Sequence, residues 1–168
     1  MQNTVVITGA GVSVESGIQP FRGKNGLWNE NPTEMASNRF FRKNTSAFLQ
    51  WYYHRFVSCK DALPNRAHEI LAKQNIKVVT QNVDNLHVKA EHPSNHLIEI
   101  HGNINFKRKI NAAYIEELEL ANWNQVDENN LEQDLFDLFK ICKEGIISET
   151  QSYRPHILLF DEYYTELY

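Results

Sequence analysis

Cysteine is scarce in this chain. Two stand in 168 residues, Cys59 and Cys142, and no Cys-x-x-Cys pair occurs. That excludes a disulfide framework and fits a reducing compartment, so a cytoplasmic location is expected. A basic excess is also missing: 17 Lys and Arg stand against 21 Asp and Glu, a net charge of −4. Nothing there points to nucleic acid or an anionic membrane as partner. No apolar run approaches the ~20 residues that would span a bilayer. No basic-then-apolar leader precedes the first apolar run. Internal repeats and low-complexity linkers are absent as well. At this length one domain with a sizeable core is expected.

What is present begins at Val5-Val6-Ile7-Thr8, a β-branched run that reads as a buried strand over 4–8. It runs into Gly9-Ala10-Gly11, where missing side chains let backbone approach a ligand. A helix near 12–16 would then offer free N–H groups to a phosphate. The ordinary dinucleotide fingerprint is broken, because Val14 stands where a third Gly or Ala is needed. By itself the pair of glycines is equally a tight strand-to-helix turn.

Further along, residues 19–38 read as a long loop, of the kind that is usually functional or disordered. Thr45, Phe48, Trp51, Tyr52 and Phe56 recur at helical spacing over 45–59. Asn65 to Gln74 reads as a helix with Asn65 as its cap. Strands are expected at 76–80, 97–100 and 157–160, with a turn and short helix at 82–90. Helices alternating with short apolar strands imply a parallel α/β sheet. In a doubly wound sheet the strand ends open on one crevice, so Asn82, Asp84 and His101 should converge beside Gly9–Gly11. A histidine there accepts a proton near neutral pH. Alone, His101 reads equally as a structural residue. His54, His68, His87, His92, His96 and His156 are expected at the surface or behind the site.

Three ordered blocks carry a resemblance. The first is Gly9-Ala10-Gly11 with Ser13, Ser16-Gly17-Ile18, Phe21-Arg22 and Gly26-Leu27-Trp28. The second is Thr80-Gln81-Asn82-Val83-Asp84-Asn85-Leu86-His87, followed by Glu99-Ile100-His101-Gly102-Asn103. The third is Arg154-Pro155-His156, then Phe160 and Glu162. Together they resemble the sirtuins, NAD-dependent protein lysine deacylases, over all of the chain except roughly 107–150.

The resemblance implies a Rossmann-like parallel sheet with flanking helices. It implies a single domain over 1–168, with 1–106 and 151–168 as core and 107–150 as a degenerate small module. Its C-terminal side would be incomplete, leaving a strand edge exposed. NAD is the implied cofactor, with Gly9, Ala10, Gly11, Ser13, Ile18, Phe21, Arg22, Trp28, Gln81, Asn82, Val83 and Asp84 lining it. His101 is the implied general base. Acyl-lysine proteins are the implied substrates, with Phe160 and Glu162 beside the peptide. Tyr52 and Arg55 form a Tyr-x-x-Arg pair that in one sirtuin class recognises a succinyl, malonyl or glutaryl carboxylate, which the planar guanidinium suits. The other reading of that pair is a buried aromatic stripe with a surface arginine.

Three departures from the family pattern stand out. Segment 107–150 offers only Cys142 where the family carries two Cys-x-x-Cys pairs, so no zinc is expected. In place of the metal module, Ala121 to Lys143 reads as an acidic amphipathic helix that could plug the gap, or as a poorly ordered stretch. The turns that hold the adenosine half of NAD in the family have no counterpart in these residues. Asp161 stands where the family has glycine, which puts peptide pairing in doubt. Two other functions stay open: NAD or ADP-ribose binding without catalysis, and NAD hydrolysis without a peptide. Oligomeric state is left open.

Overall fold

The β-branched run folds as expected into β1 (Val5–Thr8). The structure is a computed structural model, and it describes residues 4–20, 32–112 and 117–165. After β1 a 3-10 turn, Ala10–Ser16, takes the place of the expected α-helix. It ends at Gly17, whose φ of 86° is open to glycine without strain. Two short helices follow, α1 (Pro32–Met35) and α2 (Asn38–Lys43), then the long α3 (Thr45–Lys60). Next come α4 (Arg66–Lys73), β2 (Lys77–Thr80), α5 (Leu86–Lys89) and β3 (Leu97–Glu99). The chain continues through β4 (Gly102–Lys109), β5 (Glu119–Leu120), α6 (Leu131–Phe139) and β6 (Tyr153–Ile157).

The strands form two sheets. β1, β2 and β3 lie side by side and parallel, in register Ile7↔Val79↔Ile98 and Thr8↔Thr80↔Glu99. This is the α/β, Rossmann-like parallel sheet expected, with its carboxyl ends aligned. One face is turned inward at Val78, 1% exposed. The opposite row is bare: Ile7 is 70% and Ile98 54% exposed. A parallel sheet normally has both faces covered. β1 is an edge strand among the described residues.

The second sheet, β5–β4–β6, is antiparallel. It corrects one expectation. The fourth strand runs over 153–157 rather than 157–160 and does not join the parallel sheet. Arg154 and His156 disguised it, since all five residues of β6 are buried, polar ones included. The apolar run after Ile157 instead turns away: Leu158 N–H donates to His101 O at 2.9 Å, Leu159 is buried, and Phe160 is 53% exposed. Pro155 has no N–H for the ladder, and the register between β4 and β6 slips between Gly102 and Lys107.

Segment 121–143 also folds differently. Its α-helix covers only Leu131–Phe139, preceded by 3-10 turns at Trp123–Gln125 and Glu128–Asn130. Asp127 caps the second turn by accepting from Asn129 N–H, and Lys140 at φ 50° ends the helix. Leu135, Phe136, Leu138 and Phe139 are buried, and α6 packs on α3. The stretch closes one core with Phe41, Phe48, Leu49, Tyr52 and Trp123.

Candidate functional site

The 3-10 turn after β1 meets the loop after β2, and the chain leaving β3 comes alongside that loop. Ser13, wholly buried, donates its hydroxyl to Asp84 Oδ2 at 2.6 Å. Ser13 Oγ in turn accepts from Asn82 Nδ2 at 3.0 Å. Asp84 Oδ1 accepts Leu86 N–H at 3.0 Å, which ties the carboxylate to the start of α5. Ser13 thus bridges Asn82 and Asp84, and the three side chains hold one another in place. Asn65 caps α4 and also donates to Val12 O at 2.7 Å and Ser16 Oγ at 3.1 Å. It clamps the 3-10 turn from behind.

His101 sits at the end of β3, half-buried. Its Nδ1 lies 2.8 Å from Gln81 O. A carbonyl only accepts, so Nδ1 carries the proton, and in the neutral ring Nε2 presents a lone pair. Gln81 N–H in turn donates to Thr8 O, extending the sheet by one residue. Gly102 follows at φ 83°, and a Cβ there would lie 2.1 Å from His156 O. Only glycine lets β4 begin this close to β6, and this fixes where His101 stands.

The glycines of the first motif are open. Among the described residues, a Cβ on Gly9 would meet only Gln81 Oε1 at 3.9 Å, and one on Gly11 meets nothing within 4 Å. The first bond of the turn is Val12 N–H to Gly9 O, so Ala10 and Gly11 precede it. Ile18 N–H donates back to Ser13 O, and its side chain packs on the core, as does Val83. Phe21, Arg22 and Trp28, and most of the 19–38 loop, lie outside the described residues.

Charge around the network is shaped by burial. Glu99 is pushed up to about 7, chiefly by burial, with the Asp84 charge adding to it and Asn103 opposing. Asn103 Nδ2 donates to both Glu99 oxygens at 2.9 and 3.1 Å and to Asn85. Behind Asp84 the rings of His68, His87 and His92 stack edge to face, 4.8 and 5.8 Å apart. Burial lowers His87 to about 4, with His68 adding to the effect, and it lowers His68 too. Thr8 Oγ1 lies 3.0 Å from His87 Nε2. His68, His87, His92 and His156 are buried; the first three stand behind the site, one of the two placements expected of them, while His156 lies in β6. Glu99, Asn103 and Asn65 were missed as site residues. Glu99 was visible two residues before His101 in the same block.

The remaining expected residues fall elsewhere. Tyr52 is 2% exposed and stacks on Phe48, centroids 6.2 Å apart and planes 5° off parallel. Arg55 lays its guanidinium 5.2 Å over Trp51. One turn beyond, Cys59 feels the charges of both Asp84 and Arg55, while burial raises it to about 11. The C-terminal half of α3 therefore runs beside the network. Glu162 pairs with Arg154, and Phe160 N–H donates to Ala36 O. Asp161, the departure from glycine, accepts from Asn38 and Arg39 N–H. Among the described residues no group of three or more His, Cys, Asp or Glu is placed to hold a metal ion. No helix among them is long and apolar enough to cross a membrane.

A Sir2 family model matches residues 9–167. The chain belongs to the Sir2 family. Sir2 relatives include an NAD-dependent protein deacylase of Caldanaerobacter subterraneus subsp. tengcongensis, 46% identical over 107 residues, which are 60% of this chain and 43% of the relative. An NAD-dependent protein deacetylase of Sulfurisphaera tokodaii is 34% identical over 166 residues, 94% of this chain and 59% of its own. A solved Sir2 homolog–NAD complex matches with TM-score 0.68 and 30% identity, over 95% of this chain and 58% of that one. The chain thus spans less than two thirds of these Sir2 proteins' own length.

Proposed function

We propose that this chain carries the nicotinamide-ribose side of the site of an NAD-dependent protein lysine deacylase. The observation that carries the reading is the convergence of the Ser13–Asn82–Asp84 network and His101 at the ends of three parallel strands. The open backbone face at Gly11 suits a phosphate group, since no side chain of the described residues stands there. NAD would supply an electrophilic ribose carbon with nicotinamide as its leaving group.

Gly9, Ala10 and Gly11 would lie along the phosphates, with Phe21, Arg22, Ile18, Trp28, Gln81 and Val83 around the ribose and ring. Asn82 and Asp84 would orient the carboxamide, and the Asp84 charge would favour positive charge developing on the ribose. Ser13 positions both by bonding to each. His101 would take a proton from a ribose hydroxyl at Nε2, the nitrogen left as acceptor by the Gln81 contact. Acyl-lysine is the proposed substrate class, with Phe160 and Glu162 near the peptide. Arg55 is the proposed partner of an acyl carboxylate and Tyr52 its neighbour. The chain would work without zinc and without nucleic acid or membrane as partner, and we assign it to the cytoplasm. Residues 1–106 and 151–168 would be its core and 107–150 an insertion.

The test is nicotinamide release from NAD with an acyl-lysine peptide. His101→Ala should lower the rate by about 10²–10⁴-fold, the usual contribution of a general base. Retention of more than about a tenth of the parent rate would remove His101 from the role. Release at an undiminished rate with no peptide present would make the protein a hydrolase of NAD instead. Binding of NAD or ADP-ribose without turnover is the second reading, favoured by a contact that occupies His101 Nε2.

A further inference from the structure

The segment after β6 is fastened at three points before it reaches the site. Phe160 N–H donates to Ala36 O at 3.0 Å. The Asp161 carboxylate accepts from Asn38 and Arg39 N–H at 2.6 and 3.0 Å, on the first turn of α2. The Glu162 carboxylate holds Arg154 Nη2 at 2.9 Å and accepts Leu159 N–H at 3.0 Å. Beyond these anchors Tyr163 is 90% exposed, and Tyr164 reaches back over the strand ends. Its hydroxyl lies 3.0 Å from His101 Nε2. The two rings run nearly parallel, 22° apart with centroids separated by 6.1 Å.

The direction of that bond follows from the other ring nitrogen. Nδ1–H is given to Gln81 O, so in the neutral imidazole Nε2 accepts and the Tyr164 hydroxyl donates. Nε2 has one lone pair in the ring plane. While Tyr164 donates to it, a second hydroxyl cannot. That lone pair is the one the proposed function assigns to a ribose hydroxyl.

We propose that Tyr164 is a built-in cap on His101, competing with a ribose hydroxyl for Nε2. The proposal rests on the assignment of His101 to the ribose. The turn at 159–162 is held by its own anchors, so a swing of the Tyr164 side chain lifts the cap while that turn stays in place. The cap is weak by construction: Tyr164 is 60% exposed, and its hydroxyl passes readily to water. A net hydrogen bond of this kind changes an equilibrium by roughly two- to twelvefold. Apparent affinity for a ligand that needs the open state is reduced by the open fraction.

The experiment uses three proteins: the parent chain, Tyr164→Phe, which keeps the ring and removes the donor, and Tyr163→Phe as control. Nitrogen-15 NMR of the His101 ring reads the contact, and calorimetry with ADP-ribose reads the competition. Tyr164→Phe should move the Nε2 signal toward that of a free acceptor and tighten ADP-ribose binding by about two- to tenfold. Tyr163→Phe should do neither. An unmoved Nε2 signal in Tyr164→Phe overturns the cap. A moved signal with unchanged ADP-ribose affinity overturns the competition. A moved signal with no ADP-ribose binding in any of the three proteins overturns the ribose assignment, and the competition with it.

Discussion

Replacing Gly102 by alanine should be far more damaging than the same change at Gly17, although both glycines have positive φ. At Gly102 φ is 83°, and at Gly17 it is 86°. An L-residue in that region pays roughly 1–2 kcal/mol at either place. The difference lies in what the new Cβ meets. At Gly17 nothing among the described residues stands within 4 Å. At Gly102 the Cβ falls 2.1 Å from His156 O and 2.9 Å from its carbonyl carbon. Those are backbone atoms of β6, so no rotamer change relieves the contact, and β4 and β6 must part where Gly102 pairs with Ile157. Overpacking of this kind costs about 1–3 kcal/mol. Against these costs stands a gain of roughly 0.4–1 kcal/mol, because alanine lowers the conformational entropy of the unfolded chain. The net expectation is therefore about 2–4 kcal/mol for Gly102→Ala and about 1 kcal/mol or less for Gly17→Ala. Gly11→Ala, with open space and no positive φ, should stay within about 0.5 kcal/mol of the parent while weakening NAD binding. Urea unfolding followed by circular dichroism measures all three. Equal losses for Gly102→Ala and Gly17→Ala would refute the steric reasoning.

Three further expectations follow from the site and its surroundings. His87 and His156 sit at about 4, chiefly through burial, so stability present above the unfolded value near 6.5 is lost as pH falls from 6.5 toward 4. Glu99 at about 7 runs the other way, its stability being complete below 4.5 and lost as pH rises through 7. The urea midpoint should peak near pH 6–6.5, and Glu99→Gln should flatten the alkaline side; a parent midpoint still rising from pH 6.5 to 8 would contradict this. If deacylation is found, succinyl-lysine should be cleaved faster than acetyl-lysine and Arg55→Met should reverse the order, a change of roughly 1.5–3 kcal/mol in selectivity; equal parent rates on both peptides would leave Arg55 as packing on Trp51. Elemental analysis should find no stoichiometric zinc, and chelators should leave the melting temperature unchanged; one zinc per chain would refute the reading of 107–150.

The parallel half of the fold was legible because its strands are β-branched and its turns carry glycine and asparagine. Val5–Thr8, Lys77–Thr80 and the Asn65 cap all lie where their residue types place them. The antiparallel half was not. β4 reads Gly-Asn-Ile-Asn-Phe-Lys-Arg-Lys, and only Ile104 and Phe106 show the period of a strand. β6 hides Arg154 and His156 in the interior, where Arg154 is matched by Glu162 eight residues on. No local pattern shows such a pairing. In the site, the motif residues named Ser13, Asn82, Asp84 and His101, but spacing could not show that Ser13 bridges the other two. Nor could it show Asp161 on the first turn of α2, or Tyr164 on His101, because both contacts join segments far apart in the chain.

The most direct test of the nicotinamide-ribose assignment is a titration of the isotope-labelled chain with NAD, followed residue by residue in NMR. Signals of Gly11, Ser13, Asn82, Asp84 and His101 should move together along one binding curve. The dissociation constant should be on the order of millimolar, about −4 kcal/mol, as suits one side of a dinucleotide site. Saturation that leaves those five signals in place, or that moves only residues of α6 and the antiparallel sheet, would contradict the account.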